Sequence, residues 1–162
     1  MVTSKIINDI RPDTAMQYAE PSRAEQVRAI IPVKEINGLE SKVYGHFGRA
    51  PYFSIFNIQQ KKVQIEDFYL NEFLEQKKHI GLHVVKVLLN YDLDMLFTSR
   101  IGEISFSLLK ENFIDIYRLE NETLTIKQVI ELYQQNGLAR MTTPTHSVDE
   151  SLSEIEEPIT GN

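Results

Sequence analysis

The sequence predicts an α/β fold: a mixed five-stranded sheet with helices packed on it, in the order β-β-β-α-β-α-β-α. Three observations carry this. Three strand-like runs come first, separated by turns and loops, which calls for antiparallel pairing. The later apolar runs alternate with segments of helical period, which calls for right-handed parallel crossovers. Hydrophobic residues make up 42% of the chain and charged ones 25%, so a core of useful size is available to cover such a sheet.

Each element follows from its period. "VRAIIPV" (27–33) is a short apolar run of the buried-strand kind, and "YFSIFNI" (52–58) alternates and is aromatic and β-branched. "KVQIEDFYL" (62–70) alternates again after a turn at Gln60-Lys61, which makes a hairpin. "KHIGLHVVKVLLNY" (78–91) sets Ile80, Val84, Val87, Leu88 and Tyr91 at helical spacing. The strand "DMLFTS" (94–99) and the helix "EISFSLLKEN" (103–112) come next. They are followed by the strand "FIDIYRL" (113–119) and the helix "TIKQVIELYQQNG" (125–137), whose Gly137 suits a helix C-cap.

The ends read differently. Residues 1–26 form a polar leader broken by Pro12 and Pro21, with capping-box spacing between Ser22 and Glu25. Residues 138–162 are rich in Ser, Thr, Pro and acids and read as a disordered acidic tail. From Arg140 onward there are five acids and one base, so the overall charge of −6 is concentrated there. The other 139 residues, the expected domain 27–137 among them, carry 16 basic and 18 acidic side chains and are near neutrality. Neither a nucleic-acid footprint nor a polybasic membrane arm is visible. With no signal-peptide core and no apolar stretch of spanning length, the expectation is a cytoplasmic protein without direct membrane insertion. The chain has no cysteine, which excludes disulfides, a thiol nucleophile and cysteine-ligated zinc or iron–sulfur sites.

Chemistry-bearing residues collect in three loops. Gly45-His46-Phe47-Gly48-Arg49 lies between the first two strands, Lys77-Lys78-His79-Ile80-Gly81 opens the first helix, and Thr98-Ser99-Arg100-Ile101-Gly102 precedes the second. The last two sit at helix N-termini, where free N–H groups favour anions. Together, His46, Arg49, Lys77, Lys78, His79 and Arg100 suit a compact, multiply negative ligand. The same lysines also fit solvated surface charges, and the glycines also fit tight corners. His79 and His83 have i, i+4 spacing, which within one helix places two imidazoles on one face. His46, bracketed by glycines that expose it, is the better metal-ligand candidate. No Ser-His-Asp order, phosphate loop or catalytic carboxylate pair stands out, so the expectation is a protein without catalytic turnover.

The run Gly-Leu-x-Ser-x-Val-x-x-His-Phe-Gly-Arg-Ala-Pro-Tyr-Phe, with Gly81 and "DMLFTSRIGEISFSLLKENFIDIYR" beyond it, resembles the dinitrogenase iron–molybdenum cofactor biosynthesis family, of NifX type and NifB C-terminal type. The likeness runs from about Arg28 to Gln134. It implies a ribonuclease H-like three-layer fold and a carrier of an iron–sulfur or iron–molybdenum cofactor precursor, working with cofactor-assembly proteins. His46, Gly48 and Arg49 are the implied site residues, with Gly81 and Gly102 in the later loops. Two departures stand out. His79 occupies a position where the family often has glycine, and Thr98-Ser99 stands where the family favours Thr-Gly. "KKHIG", "SRIGEISF" and the "IINDIRPD" leader resemble the soluble tails of cation diffusion facilitator transporters, which implies an alternative role as a regulatory domain in cation efflux. A nuclease on the same fold would need carboxylates on its central strands, and "RAIIPV" has none.

Overall fold

The computed structural model describes residues 26–146. β1 (Gln26–Val33), β2 (Tyr52–Gln59) and β3 (Lys62–Leu70) form an antiparallel meander. α1 (Ile80–Leu88), β4 (Met95–Thr98), α2 (Glu103–Glu111), β5 (Asp115–Arg118) and α3 (Ile126–Gln134) follow. These eight elements come in the expected order. The sheet runs β3-β2-β1-β4-β5-β6, with β4 parallel to both β1 and β5.

The strand count differs from the expectation. A sixth strand, β6 (Ala139–Arg140), pairs antiparallel with β5. Two residues have no period to read, and their polar surroundings look like disorder; what places them is the edge of β5, which offers unpaired backbone groups. Met141 then donates its N–H to the Ile116 carbonyl at 2.6 Å and buries its side chain. Residues 138–146, read from composition as part of the tail, thus lie against the domain. The capping-box spacing at Ser22 and the acidic residues of the tail beyond 146 lie outside the described residues.

Alternation along the strands divides the core in two. Ile30, Phe53, Ile55, Leu96 and Ile116 face α1 and α2, meeting Ile80, Val84, Leu88, Phe106 and Leu109. Ala29, Ile31, Val33, Phe56, Met95 and Phe97 face the opposite way, against Ile126, Val129 and Ile130 of α3. β1 and β4 are apolar on both sides because both sides are covered, which is why "VRAIIPV" shows no alternation. No helix among the described residues is long and apolar enough to cross a membrane.

Rings dominate the α3 face. Phe97 is fully buried; it stacks on Tyr117 with ring centres 5.5 Å apart and meets Tyr133 edge-on at the same distance. Phe56 lies against its other side at 6.3 Å. Phe97→Ala empties this position, and we expect a loss of about 3–5 kcal/mol in chemical denaturation. A loss under 1 kcal/mol would show that the ring cluster is not the anchor of this face.

Candidate functional site

The long connection from β1 to β2 builds one wall of a crevice. Gly38 (φ +56°) makes the reversal, and the buried Ser41 fixes it, accepting from Asn37 N–H at 2.7 Å and donating to the Gly38 carbonyl at 2.8 Å. Val43, Phe47, Ala50 and Phe53 are all buried in the core. Most of the run that carries the resemblance is therefore structural. What remains is His46, Gly48 and Arg49, each half-buried and lining the crevice.

The opposite walls are the starts of α1 and α2. His79 and Gly81 come from the first; Gly102 and Ser105 come from the second. The three loops thus converge as the sequence predicts. Gly81 is what lets them close. An added Cβ at Gly48 would lie 3.1 Å from the Gly81 Cα, and one at Gly81 would strike the Ser105 hydroxyl. These glycines serve close backbone approach, and neither has a positive φ. The crevice is open on one side, with about 50 Å³ of recessed space. That holds a few waters, so a cluster-sized ligand would extend through the mouth and meet the rim residues.

His79 does adopt a left-handed conformation (φ 60°, ψ 31°), as the N-cap of α1. Glycine fits such a position without strain; a histidine there costs on the order of 1 kcal/mol. Neither His79 nor Gly102, the N-cap of α2, makes a side-chain cap hydrogen bond. α3, on the far face, is instead closed by a full capping box: Gln128 N–H donates to Thr125 Oγ1, and Thr125 N–H to Gln128 Oε1. At the two helices that open on the crevice, the N-cap residue thus leaves the first-turn N–H groups without its own side-chain cap, a setting that favours an anion.

Not every expected residue arrives. Arg100 is exposed and does not line the crevice; its guanidinium lies 3.7 Å from the Glu122 carboxylate. Its backbone contributes, with Arg100 N–H donating to Gly45 C=O and Phe47 N–H to Arg100 C=O, both at 2.9 Å. Lys77 and Lys78 are exposed and lie off the lining. His79 and His83 do not share a helix face, because the left-handed His79 stands outside α1; the His83 ring stacks on Phe73 at 5.2 Å. Among the described residues, no group of three or more His, Asp or Glu is placed to hold a metal ion.

Two residues were missed. His146, which composition assigned to the tail, lines the crevice with its ring centre 5.7 Å from that of His46. Asn71, just after β3, is buried and donates through Nδ2 to the carbonyls of Gly48 (3.1 Å) and Ala50 (2.9 Å). No sequence period marks either, since each acts through backbone groups distant in the chain. Asn71→Ala orphans those carbonyls, and an unfolding titration should show a loss of about 1–3 kcal/mol. His79→Gly should move the other way in the same assay, gaining about 1 kcal/mol by relieving the left-handed strain. A loss of stability in His79→Gly would refute the strain argument.

The comparisons with known proteins agree with this architecture. The family profile described as dinitrogenase iron-molybdenum cofactor matches residues 27–136. Among solved structures, the apo form of the orange protein from Desulfovibrio gigas superposes with a TM-score of 0.65 at 21% identity, covering 73% of this chain and 95% of that one. A protein described as NifB from Thermotoga gives 0.58 at 27% identity, covering 74% and 97%. One described as a dinitrogenase from Methanocaldococcus jannaschii gives 0.54 at 16% identity, covering 74% and 98%. The first and third of these likenesses speak for the fold alone. Among curated proteins none matches. With about two-thirds of its length matched by the family profile, and with the site-bearing loops inside that match, the chain belongs to the dinitrogenase iron–molybdenum cofactor family.

Proposed function

We propose that the crevice binds a compact, anionic, metal-containing ligand, an iron–sulfur or iron–molybdenum cofactor precursor, and carries it between cofactor-assembly proteins without chemical turnover. The observation that supports this most directly is the composition of the rim. It joins His46, Arg49, His79 and His146 to two helix N-termini, and among the described residues neither helix has a side-chain cap and no carboxylate lines the rim. Imidazole nitrogen is a ligand for iron and related metals, while guanidinium and first-turn N–H groups offset negative charge. The ligand would bring its own sulfides, which suits a chain without cysteine. A Mg²⁺-dependent nuclease would need carboxylates where this site has imidazoles. Family membership supports a cofactor-related cargo. The strand order, with α1 and α2 on one face and α3 on the other, supports a ribonuclease H-like three-layer description.

His46 is the primary ligand on this reading. Its segment is held by backbone bonds to Arg100, and its neighbour Phe47 is anchored in the core, so the imidazole is presented without being a packing residue. Anaerobic incubation with tetrathiomolybdate or a reconstituted iron–sulfur cluster, followed by desalting, absorbance and metal analysis, tests it. The parent should retain the metal; His46→Ala should lose most of it while unfolding within about 1 kcal/mol of the parent. Equal retention by both proteins would sink the ligand assignment.

A further inference from the structure

We propose that His146 joins His46 in a two-imidazole site for a transition-metal centre with open coordination positions, so that residues 141–146 are part of the binding site. This rests on the binding reading above and adds a ligand to it. Three observations carry it.

The first is spacing. The His46 and His146 rings lie with centres 5.7 Å apart, tilted by 37°. With metal–nitrogen bonds of about 2.0–2.1 Å, two imidazoles on one ion place their ring centres about 5–6 Å apart. The second is how that spacing is fixed. His46 bridges to Arg100 and His146 to Gly102, both in parallel register. The two histidines therefore flank one short backbone segment, and both line the same crevice.

The third is a contact that orients the ring. Thr145 Oγ1 accepts from Ile101 N–H at 2.8 Å and lies 2.9 Å from the Ile101 carbonyl and 3.1 Å from His146 Nδ1. In the tautomer whose Nδ1–H donates to Thr145 Oγ1, the lone pair is on Nε2, across the ring. Metal-ligating histidines are commonly oriented in this way, with the other ring nitrogen held by an outer oxygen. Strand β6 and the buried Met141 anchor the segment upstream, so Thr145 and His146 arrive in fixed register.

Such a pair ligates a free divalent ion through ring nitrogen, or meets a thiometallate through ring N–H donated to its sulfides, and the test separates these sources. Cu²⁺ is titrated into the full chain, and electron paramagnetic resonance counts its nitrogen ligands; tetrathiomolybdate retention is measured in parallel. The parent should show a two-nitrogen Cu²⁺ signature. His146→Ala should show one nitrogen and at least tenfold weaker binding, and Thr145→Val, which keeps both imidazoles, should weaken binding about tenfold through the lost orientation. His83→Ala should change nothing, because its ring stacks on Phe73 outside the crevice. Thermal melts confirm that each variant folds, and Thr145→Val carries the test alone if His146→Ala does not. A His146→Ala protein with the parent's nitrogen count and affinity overturns the proposal. Loss of tetrathiomolybdate in His46→Ala but not in His146→Ala would leave the carrier reading standing and confine His146 to free ions. Copper and thiometallate binding unaffected by either substitution would overturn both.

Discussion

The crevice is organised by the segment Arg100–Gly102, which leaves β4 and is hydrogen-bonded on two sides. On one side Arg100 exchanges backbone bonds with Gly45 and Phe47, both at 2.9 Å; on the other, Ile101 pairs with Thr145, whose N–H donates to its carbonyl at 3.0 Å. β4 is buried along all four residues, between β1 and β5. The segment therefore inherits the position of the central sheet, and side chains at 46 and 146 inherit it in turn. A site built this way does not depend on the conformational preferences of its own loops. It also explains why Arg100 supplies backbone and not charge: its amide and carbonyl are committed to the ladder, and its guanidinium turns out toward Glu122.

The same logic shows what the sequence could reveal. β3 spans Lys62–Leu70, the limits its alternation predicts, because a strand with one solvent face writes its period into its residues. The loops at Gly48, Gly81 and Gly102 were legible because glycine marks close approach, and the structure shows Gly48 and Gly81 nearly touching. His146 was not legible. It sits in a stretch of Thr, Pro and Ser whose attachment uses backbone groups, the Thr145 hydroxyl and one apolar side chain, Met141, and such contacts leave no pattern. His79 and His83 misled for a related reason: i, i+4 spacing implies a shared face only if both residues have helical dihedrals, and His79 has φ 60°.

Stability and site quality are traded locally. α3 has a complete capping box, and its cap is worth on the order of 1 kcal/mol. α1 and α2 forgo such side-chain caps, and α1 accepts a strained histidine in addition. All these costs fall at the crevice, and they are offset by cores on both sheet faces that bury Phe53, Phe56 and Phe97 completely. Left-handed residues also occur at Gln60, Asp92, Phe113 and Asn136, away from the crevice, but only at His79 does one coincide with a helix start that opens on the concave surface.

That surface also limits what can be held there. The crevice is open on one side, with about 50 Å³ of recessed space, and no three metal-ligating side chains converge among the described residues. On the proposed reading, the cargo keeps most of its own ligands and touches the protein through one or two imidazoles and a set of positive dipoles. Fewer protein bonds mean a bound state that a competing site with thiolates could strip. A resident cofactor would call for the opposite arrangement, with four firm ligands and a closed pocket. On the carrier reading, the open crevice, the imidazoles and the missing cysteines all meet one requirement: the ligand must be able to leave.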